Sequence, residues 1–477
     1  MRFDDLRDWI KESEELGELK RVEHADWDVE IGTIVDLYQE KMGLPALLFD
    51  KIKGYPPGYR ILANSLTSIK RIALTLGLPP EATALDIVKL WLDYLRNFNL
   101  VPPRVVEKGP ILENVQEKDD INLLAFPAPK WHELDGGRYL GTGCVVIMKD
   151  PDSDWVNLGV YRVQVFDEST LSVMISKGKQ GSIIMQKYWD SGQPCPVAIS
   201  FGHDVLLYLV GGMEIPYGVC EYDVCGGLRG EPVEVIKGTK TNLPIPATGE
   251  IVIEGEIHPD QFVESEGPFG EWTGYYAGGR KPQPKINVKA VLHRDNPIIL
   301  GAMPRVPPND DTYYRGFLRS AAVWDELEKA GVPGIQGVWA HEAGGGRFML
   351  TVSIKQLYPG HAKQAGLIAS QCHSGGYANR ITLVVDDDID PANTNEVIWV
   401  LCTRTDPRED VEILKRCWST RLDPMSYPEE ARVLNSRMVI DACRPWERLD
   451  TFSPVVRPST ELKDKVIEKW RDLFPAG

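Results

Sequence analysis

The chain has 477 residues, 43% hydrophobic and 26% charged; that balance excludes a disordered chain, and the length calls for two or three domains. A formal net charge of −16 excludes a general binder of nucleic-acid backbones. Apolar runs such as Val205 to Val210 are far too short to span a bilayer, and eight scattered cysteines without a CxxC pair point to reduced thiols in a cytoplasmic protein, not to zinc ligands.

The N-terminal residues are charged from the fourth onward, unlike a secretory signal or an acid-poor transit peptide. Asp4 or Asp5 is placed to cap a first helix carrying Leu6, Trp9, Ile10 and Leu16. A second amphipathic helix covers Val29 to Lys41 and ends at Gly43. PALLFDKI (45–52) reads as a strand, Ala84 to Asn97 as a helix, and the proline-rich 100–110 stretch as a connector. From Gly141 the period changes. GTGCVVIMKD, VNLGVYRVQVF and LSVMISKG are β-prone runs between polar turns. In GEIVIEGEI (249–257), Ile251, Ile253 and Ile257 share one face and Glu250, Glu254 and Glu256 the other. Residues 284–303 predict two strands around a turn at Asp295-Asn296. After Asp310, helix and strand alternate: FLRSAAVWDELEKAG, RFMLTVSIK, HAKQAGLIASQC, RITLVVDDDID. The expected order is a β-rich, barrel-like middle followed by an α/β or α+β unit.

The stretch ESEGPFGEWTGYY (264–276) carries the densest chemistry. Glu266 and Glu271 flank Gly267, Pro268 and Gly270, which forbid a helix. A folded-back loop can aim both acids at one cavity, with Trp272, Tyr275 and Tyr276 lining it. An acid beside apolar rings loses solvation, and its pKa rises toward the range where it can hold and deliver a proton. The competing reading is a solvated acidic turn anchored by its rings. In WVNLGVYRVQV (155–165), Asn157 and Arg162 point to opposite faces of a regular strand. Arg162 lies among apolar neighbours and needs an anion: Glu266, Glu271, a phosphate or a substrate carboxylate. In VVDDDID (384–390), adjacent acids alternate direction, so capping a following loop is favoured over metal binding. The eight histidines lack metal-pair spacing and read as structural.

Together these stretches resemble the UbiD-like family of reversible decarboxylases that use prenylated FMN. The resemblance rests on NLGVYR (157–162), EYDVCGGLRGEPVE (221–234), ESEGPFGEWTGYY, the 384–407 block and NSRMVIDA (435–442). It implies an α+β chain: an N-terminal α/β segment (1–110), a split β-barrel flavin-binding domain (111–310) and a C-terminal α/β dimerisation domain (311–477). It implies catalytic Arg162, Glu266 and Glu271, with Glu271 as proton donor. The implied flavin contacts are Asn157, Val160, Tyr161, Arg162, Lys179, Gln180, Glu221 and Arg437. The family holds the flavin phosphate through Mn2+ (or Mg2+) on an Asn, a His and a Glu. Asn157 and Glu221 match, but GKQG (178–181) puts Gln180 at the His position, with Lys179 before it; a Gln carbonyl still suits a hard cation. K+ is expected near the Val210–Met213 backbone.

The implied reaction is non-oxidative decarboxylation of an aromatic or heteroaromatic acid, reversible with CO2 or bicarbonate, and Trp272 favours a flat ring. Alternatives are a cinnamic-type substrate, a flavin binder without activity, and a glycosidase built on Glu266 and Glu271. A flavin prenyltransferase as cofactor supplier and a homodimer or homohexamer complete the expectation.

Overall fold

The computed structural model describes residues 3–97, 99–426 and 433–473. Asp5 accepts the Asp8 amide and starts the Leu6–Glu15 helix, which buries Leu6, Trp9 and Ile10. Thr83 and Asp86 form a reciprocal capping box that opens the Ala84–Arg96 helix. Strands Leu19–Glu23, Ala46–Asp50 and Arg60–Ala63 make a small sheet, completed by Ile298–Leu300 from the far side of the middle segment. The predicted turn at Asp295-Asn296 is therefore no hairpin. Lys281–His293 belongs to the large sheet, whereas buried Ile298–Leu300 pairs in parallel with Arg60–Leu62. The connector also contributes: Arg104–Val105 runs parallel to Glu234–Val235.

The middle is one nine-stranded sheet. Its path runs Arg138–Gly141, Arg162–Val165, Thr170–Met174, Lys281–His293, Ile251–Glu266, Cys195–Gly202, Val145–Lys149, Val156–Gly159; Asn114–Glu117 pairs with Lys281–His293 off that path. Arg162–Val165 and Val156–Gly159 are six strand spacings apart, about 29 Å in a flat sheet. Only Val160 and Tyr161 separate them in sequence, so the chain spans at most about 11 Å there. The sheet has to curl until its ends meet, which gives the split-barrel form. It also settles the directions of Asn157 and Arg162, which stand on different strands.

The alternating Glu face does not reach solvent. The Ile251–Glu266 strand is buried on both sides through its first half. Glu254, fully buried, accepts the backbone N–H groups of Thr239, Lys240 and Thr241 at 2.9–3.2 Å. Glu250 takes Arg7 Nε at 2.8 Å and Nη2 at 2.9 Å. Each carboxylate is bound, and this is what makes its burial tolerable.

The C-terminal unit is a five-stranded sheet ordered Ile335–Ala340, Met349–Ile354, Ile381–Asp386, Leu434–Ala442, Val411–Trp418, with helices Asp310–Lys329 and His361–Gln371 packed beside it. The acidic run at the end of Ile381–Asp386 follows the capping expectation. Asp390 accepts the Ala392 N–H at 2.9 Å, while Asp386 and Asp388 both hold Arg404. Among the described residues no helix is long and apolar enough to cross a membrane.

Candidate active site

Glu266 ends the long Ile251–Glu266 strand, and the chain then turns back in a loop fixed from three sides. Gln164 Oε1 accepts the Gly267 N–H at 3.1 Å, Asp135 accepts the Gly270 N–H at 3.0 Å, and the Pro268 carbonyl accepts the Gly136 N–H at 2.7 Å. A side chain at Gly136 would start 1.8 Å from the Gly267 oxygen, so the approach requires glycine there.

Arg162 stands at the start of its strand and faces this loop. Its Nε and Nη2 donate to the two oxygens of Glu266 at 2.8 and 2.9 Å, a bidentate pair, and Nη1 donates to Glu271. Tyr139 donates to Glu266 Oε1 at 3.1 Å, and the Phe269 ring lies 5.1 Å below the guanidinium. Burial opposes the Arg162 charge, but the Glu266 hydrogen bond and both carboxylates outweigh it and hold its pKa above the ordinary arginine value. Burial raises the pKa of Glu271, against the opposing pull of Arg162. The rings packed at this loop are Tyr139 and Phe269, 4.4 Å apart, not the rings the sequence singles out. Tyr275 and Tyr276 are exposed, and Trp272 stacks on Phe348 of the C-terminal unit at 5.4 Å. Nothing in GGRYL or in the spacing of Phe269 marked those two residues beforehand.

The second group lies across the Val160–Tyr161 crossover. Asn157 Nδ2 donates to Gln180 Oε1 at 2.8 Å and to Glu221 Oε1 at 2.9 Å. Glu221 Oε2 accepts the Leu158 N–H at 2.8 Å. The structure thus gathers Asn157, Gln180 and Glu221. Gln180 opens the Gln180–Asp190 helix and Glu221 the Glu221–Arg229 helix. Burial pushes the Glu221 carboxyl up to about 8, and among the described residues no cationic side chain pairs with it. A buried carboxylate beside two amides is an oxygen donor set that lacks a positive charge. Turning the Asn157 amide over would bring three oxygens together, which fits a hard divalent ion. Among the described residues no cluster of three or more His, Cys, Asp or Glu side chains offers an alternative metal site.

Val160 donates its N–H to the Gly211 carbonyl at 3.3 Å, and the Tyr161 hydroxyl accepts the Gly181 N–H. Lys179 is exposed just before the Gln180–Asp190 helix; desolvation by its surroundings and the nearby Arg347 lower its pKa to about 8. Arg437 is not brought to either group. It is buried in the C-terminal sheet, with its guanidinium donating to the Ser370 and Trp418 carbonyls.

Three family descriptions match the chain in order: the N-terminal domain (residues 10–91), the Rift-related domain (104–307) and the C-terminal domain (312–442) of 3-octaprenyl-4-hydroxybenzoate carboxy-lyase, the UbiD domains. The pyrrole-2-carboxylic acid decarboxylase of Pseudomonas aeruginosa is 32% identical over 98% of each chain. The vanillic acid decarboxylase of Sedimentibacter hydroxybenzoicus, in its open form, superposes with a TM-score of 0.85 at 29% identity, covering 99% of this chain and 100% of that one. The UbiD-class enzyme HmfF from Pelotomaculum thermopropionicum, solved in complex with FMN, gives a TM-score of 0.84 at 29% identity, covering 96% and 99%. An evolved dimeric form of HmfF, in complex with prFMN, gives 0.81 at 28% identity, covering 96% and 98%.

Proposed function

The chain belongs to the UbiD family of carboxy-lyases, and we propose that it catalyses the prenylated-FMN-dependent, reversible decarboxylation of an aromatic or heteroaromatic acid. The observation that carries this reading is Arg162 held between Glu266 and Glu271, with Glu271 raised toward its acid form. The relatives named for pyrrole-2-carboxylic and vanillic acids support the substrate class. A glycosidase does not fit, because one guanidinium bonds both carboxylates and fills the space that a glycosidic bond would need.

Bound prenylated FMN would supply the electron sink that no side chain offers when CO2 leaves an sp² carbon. The rest falls to the chain's own groups. Glu266 fixes the Arg162 plane through two parallel bonds. When Glu271 takes up a proton its hold on Nη1 weakens, and that N–H becomes free to orient the substrate carboxylate. Glu271, now an acid, stands ready to protonate the vacated carbon. In the carboxylation direction the same residue removes that proton. Asn157, Gln180 and Glu221 would hold the Mn2+ or Mg2+ that neutralises the flavin phosphate, with Lys179 beside it. Asn157 and Arg162 are joined by at most about 17 Å of extended chain, room for a flavin's phosphate and ring to engage one each. K+ at Val210–Met213 and a homodimer or homohexamer complete the proposal.

The test is co-expression with a flavin prenyltransferase, a flavin spectrum, and CO2 release from benzoic, furoic, pyrrole, indole and cinnamic acids. Turnover of one ring class only after co-expression supports the reading. Undiminished turnover in Glu271→Gln overturns the assignment of the proton donor.

A further inference from the structure

Glu271 follows Gly270, and the group that fixes its backbone comes from a stretch far away in sequence, WHELDGGRYL (131–140). On its C-terminal side Glu271 closes a tight turn. Its N–H donates to the Tyr275 carbonyl at 3.0 Å, and its own carbonyl accepts the Gly274 N–H at 2.9 Å. That turn is self-contained, and a glycine before it leaves it free to swing as a unit. On the N-terminal side the anchor is a side chain. Asp135, 5% exposed, accepts the Gly270 N–H on Oδ1 at 3.0 Å and the His132 N–H on Oδ2 at 3.1 Å. The Asp135 N–H donates back to the His132 carbonyl at 3.1 Å, so the acceptor and its support form one closed ring of bonds.

The His132 side chain completes the clamp. Its Nε2 meets the Pro304 carbonyl at 2.7 Å, an acceptor only, so that nitrogen carries a proton. A side chain on Gly270 would start 2.9 Å from His132 Cδ2; the ring presses on the Gly270 backbone itself. At the other end of the turn, a side chain on Gly274 would start 2.9 Å from the Val306 Cα. The Glu271 turn is therefore wedged between the 132–135 segment and the 304–306 segment. Burial raises the Asp135 pKa, against the pull of His132 and of the two amides. A buried acid held by two neutral amides costs stability, and a second shell that locks a reacting group accounts for that cost.

We propose that Asp135, supported by His132, is a positioning residue for the proton donor: it fixes the Gly270 backbone and so sets where the Glu271 carboxyl stands beside Arg162. The role rests on the decarboxylase reading above, in which Glu271 delivers the proton. Asp135 acts through Glu271 and takes no part in the proton transfer itself. A displacement of about 1 Å at a reacting group costs about 10²-fold in rate, which is the leverage of this one backbone bond.

The test compares the full-length wild type with Asp135→Ala and Asp135→Asn. In the flavin-free protein the Glu271 carboxyl is titrated by 13C NMR of glutamate-labelled samples, its signal assigned by its loss in Glu271→Gln. Burial raises the wild-type value above 4.5, with Arg162 pulling it down and Glu266 and Asp311 pushing it up; those three charges remain in every variant. Asp135→Ala frees the turn and lets water reach Glu271, so its pKa should fall toward 4.5. Asp135→Asn keeps an oxygen for the Gly270 N–H and should retain most of the wild-type value. In the flavin-loaded enzyme Asp135→Ala should lower kcat about 10²-fold, with KM and FMN affinity unchanged, and move the alkaline limb of kcat to lower pH. A folded Asp135→Ala with the wild-type Glu271 pKa and the wild-type pH profile overturns the proposal. Should that variant fail to fold, His132→Ala decides: it removes the ring against Gly270 and should shift both readouts the same way by less, and unchanged values overturn the proposal equally. The titration needs no turnover. A chain that releases CO2 from no acid therefore fails the decarboxylase reading, while the Glu271 titration still decides what Asp135 does.

Discussion

Arg162 and Glu266 meet plane to plane, Nε to Oε1 at 2.8 Å and Nη2 to Oε2 at 2.9 Å, with Glu266 1% exposed. The strand carrying Glu266 runs beside the Lys281–His293 strand, and Arg162 enters from a strand two places further along the sheet. The barrel therefore holds the pair as a rigid unit, and Glu271, on the loop, is the member able to let go.

The first expectation concerns that unit. Glu266→Gln removes the charge and one acceptor, so Arg162 loses its fixed plane. We expect kcat/KM to fall about 10²-fold with flavin binding kept. Tyr139→Phe removes only the hydroxyl on Glu266 Oε1 and should cost about 1.5–3 kcal/mol of stability, with a smaller loss of rate. Equal rates in Glu266→Gln and wild type would remove Glu266 from the mechanism.

The second is a pH profile. The acid form of Glu271 donates the proton, and burial raises its pKa above 4.5. That form therefore persists to higher pH than in an ordinary glutamate, and kcat for decarboxylation declines only as pH rises through the raised value. The same shift has a stability cost: the folded state keeps the proton more tightly, so stability decreases as pH climbs from the unfolded toward the folded pKa. Phe269→Ser, by admitting water, should move the alkaline limb to lower pH. A limb that stays where it was means another group titrates.

Metal addition provides a third. Mn2+ added to the flavin-free protein should raise its Tm, by the equivalent of about 2.7 kcal/mol at a hundredfold excess over Kd. Glu221→Gln removes the one carboxylate of the donor set and should abolish the shift. An all-oxygen set favours Mg2+ and Mn2+, so Gln180→His should tilt selectivity toward Zn2+ and Ni2+, which thermal shifts with each ion will report. Identical shifts in wild type and Glu221→Gln would place the ion elsewhere.

The acidic run of the C-terminal sheet supplies the fourth. Arg404 is buried with Asp386 at 2.8 Å and Asp388 at 2.9 Å. Arg404→Met leaves buried Asp386 with Arg444 and the neutral Gln356 amide, and the loss should be about 3 kcal/mol in urea unfolding, without change in flavin affinity. A run that instead bound a metal would show a cation-dependent Tm lost in this variant.

What the sequence determined by itself was local or chemical. Asp5 and Gly43 mark element ends because caps act through neighbouring backbone groups. Glu266 and Glu271 stand out because a Gly-Pro-rich loop between two acids cannot be helical. The motifs from Asn157 to Arg437 were enough to indicate the family. Tertiary structure alone decided which groups meet. Asn157 and Arg162, read as opposite faces of one strand, belong to two strands that the curled sheet brings together. Glu250 and Glu254 are buried because loops and arginines from distant sequence satisfy them. Tyr275 and Tyr276 are exposed, while Tyr139 bonds Glu266 and Phe269 lies under Arg162. Arg437, motif match notwithstanding, is taken up by carbonyls of its own sheet. Burial and pairing are sums over neighbours in space, and a linear pattern records only the neighbours along the chain.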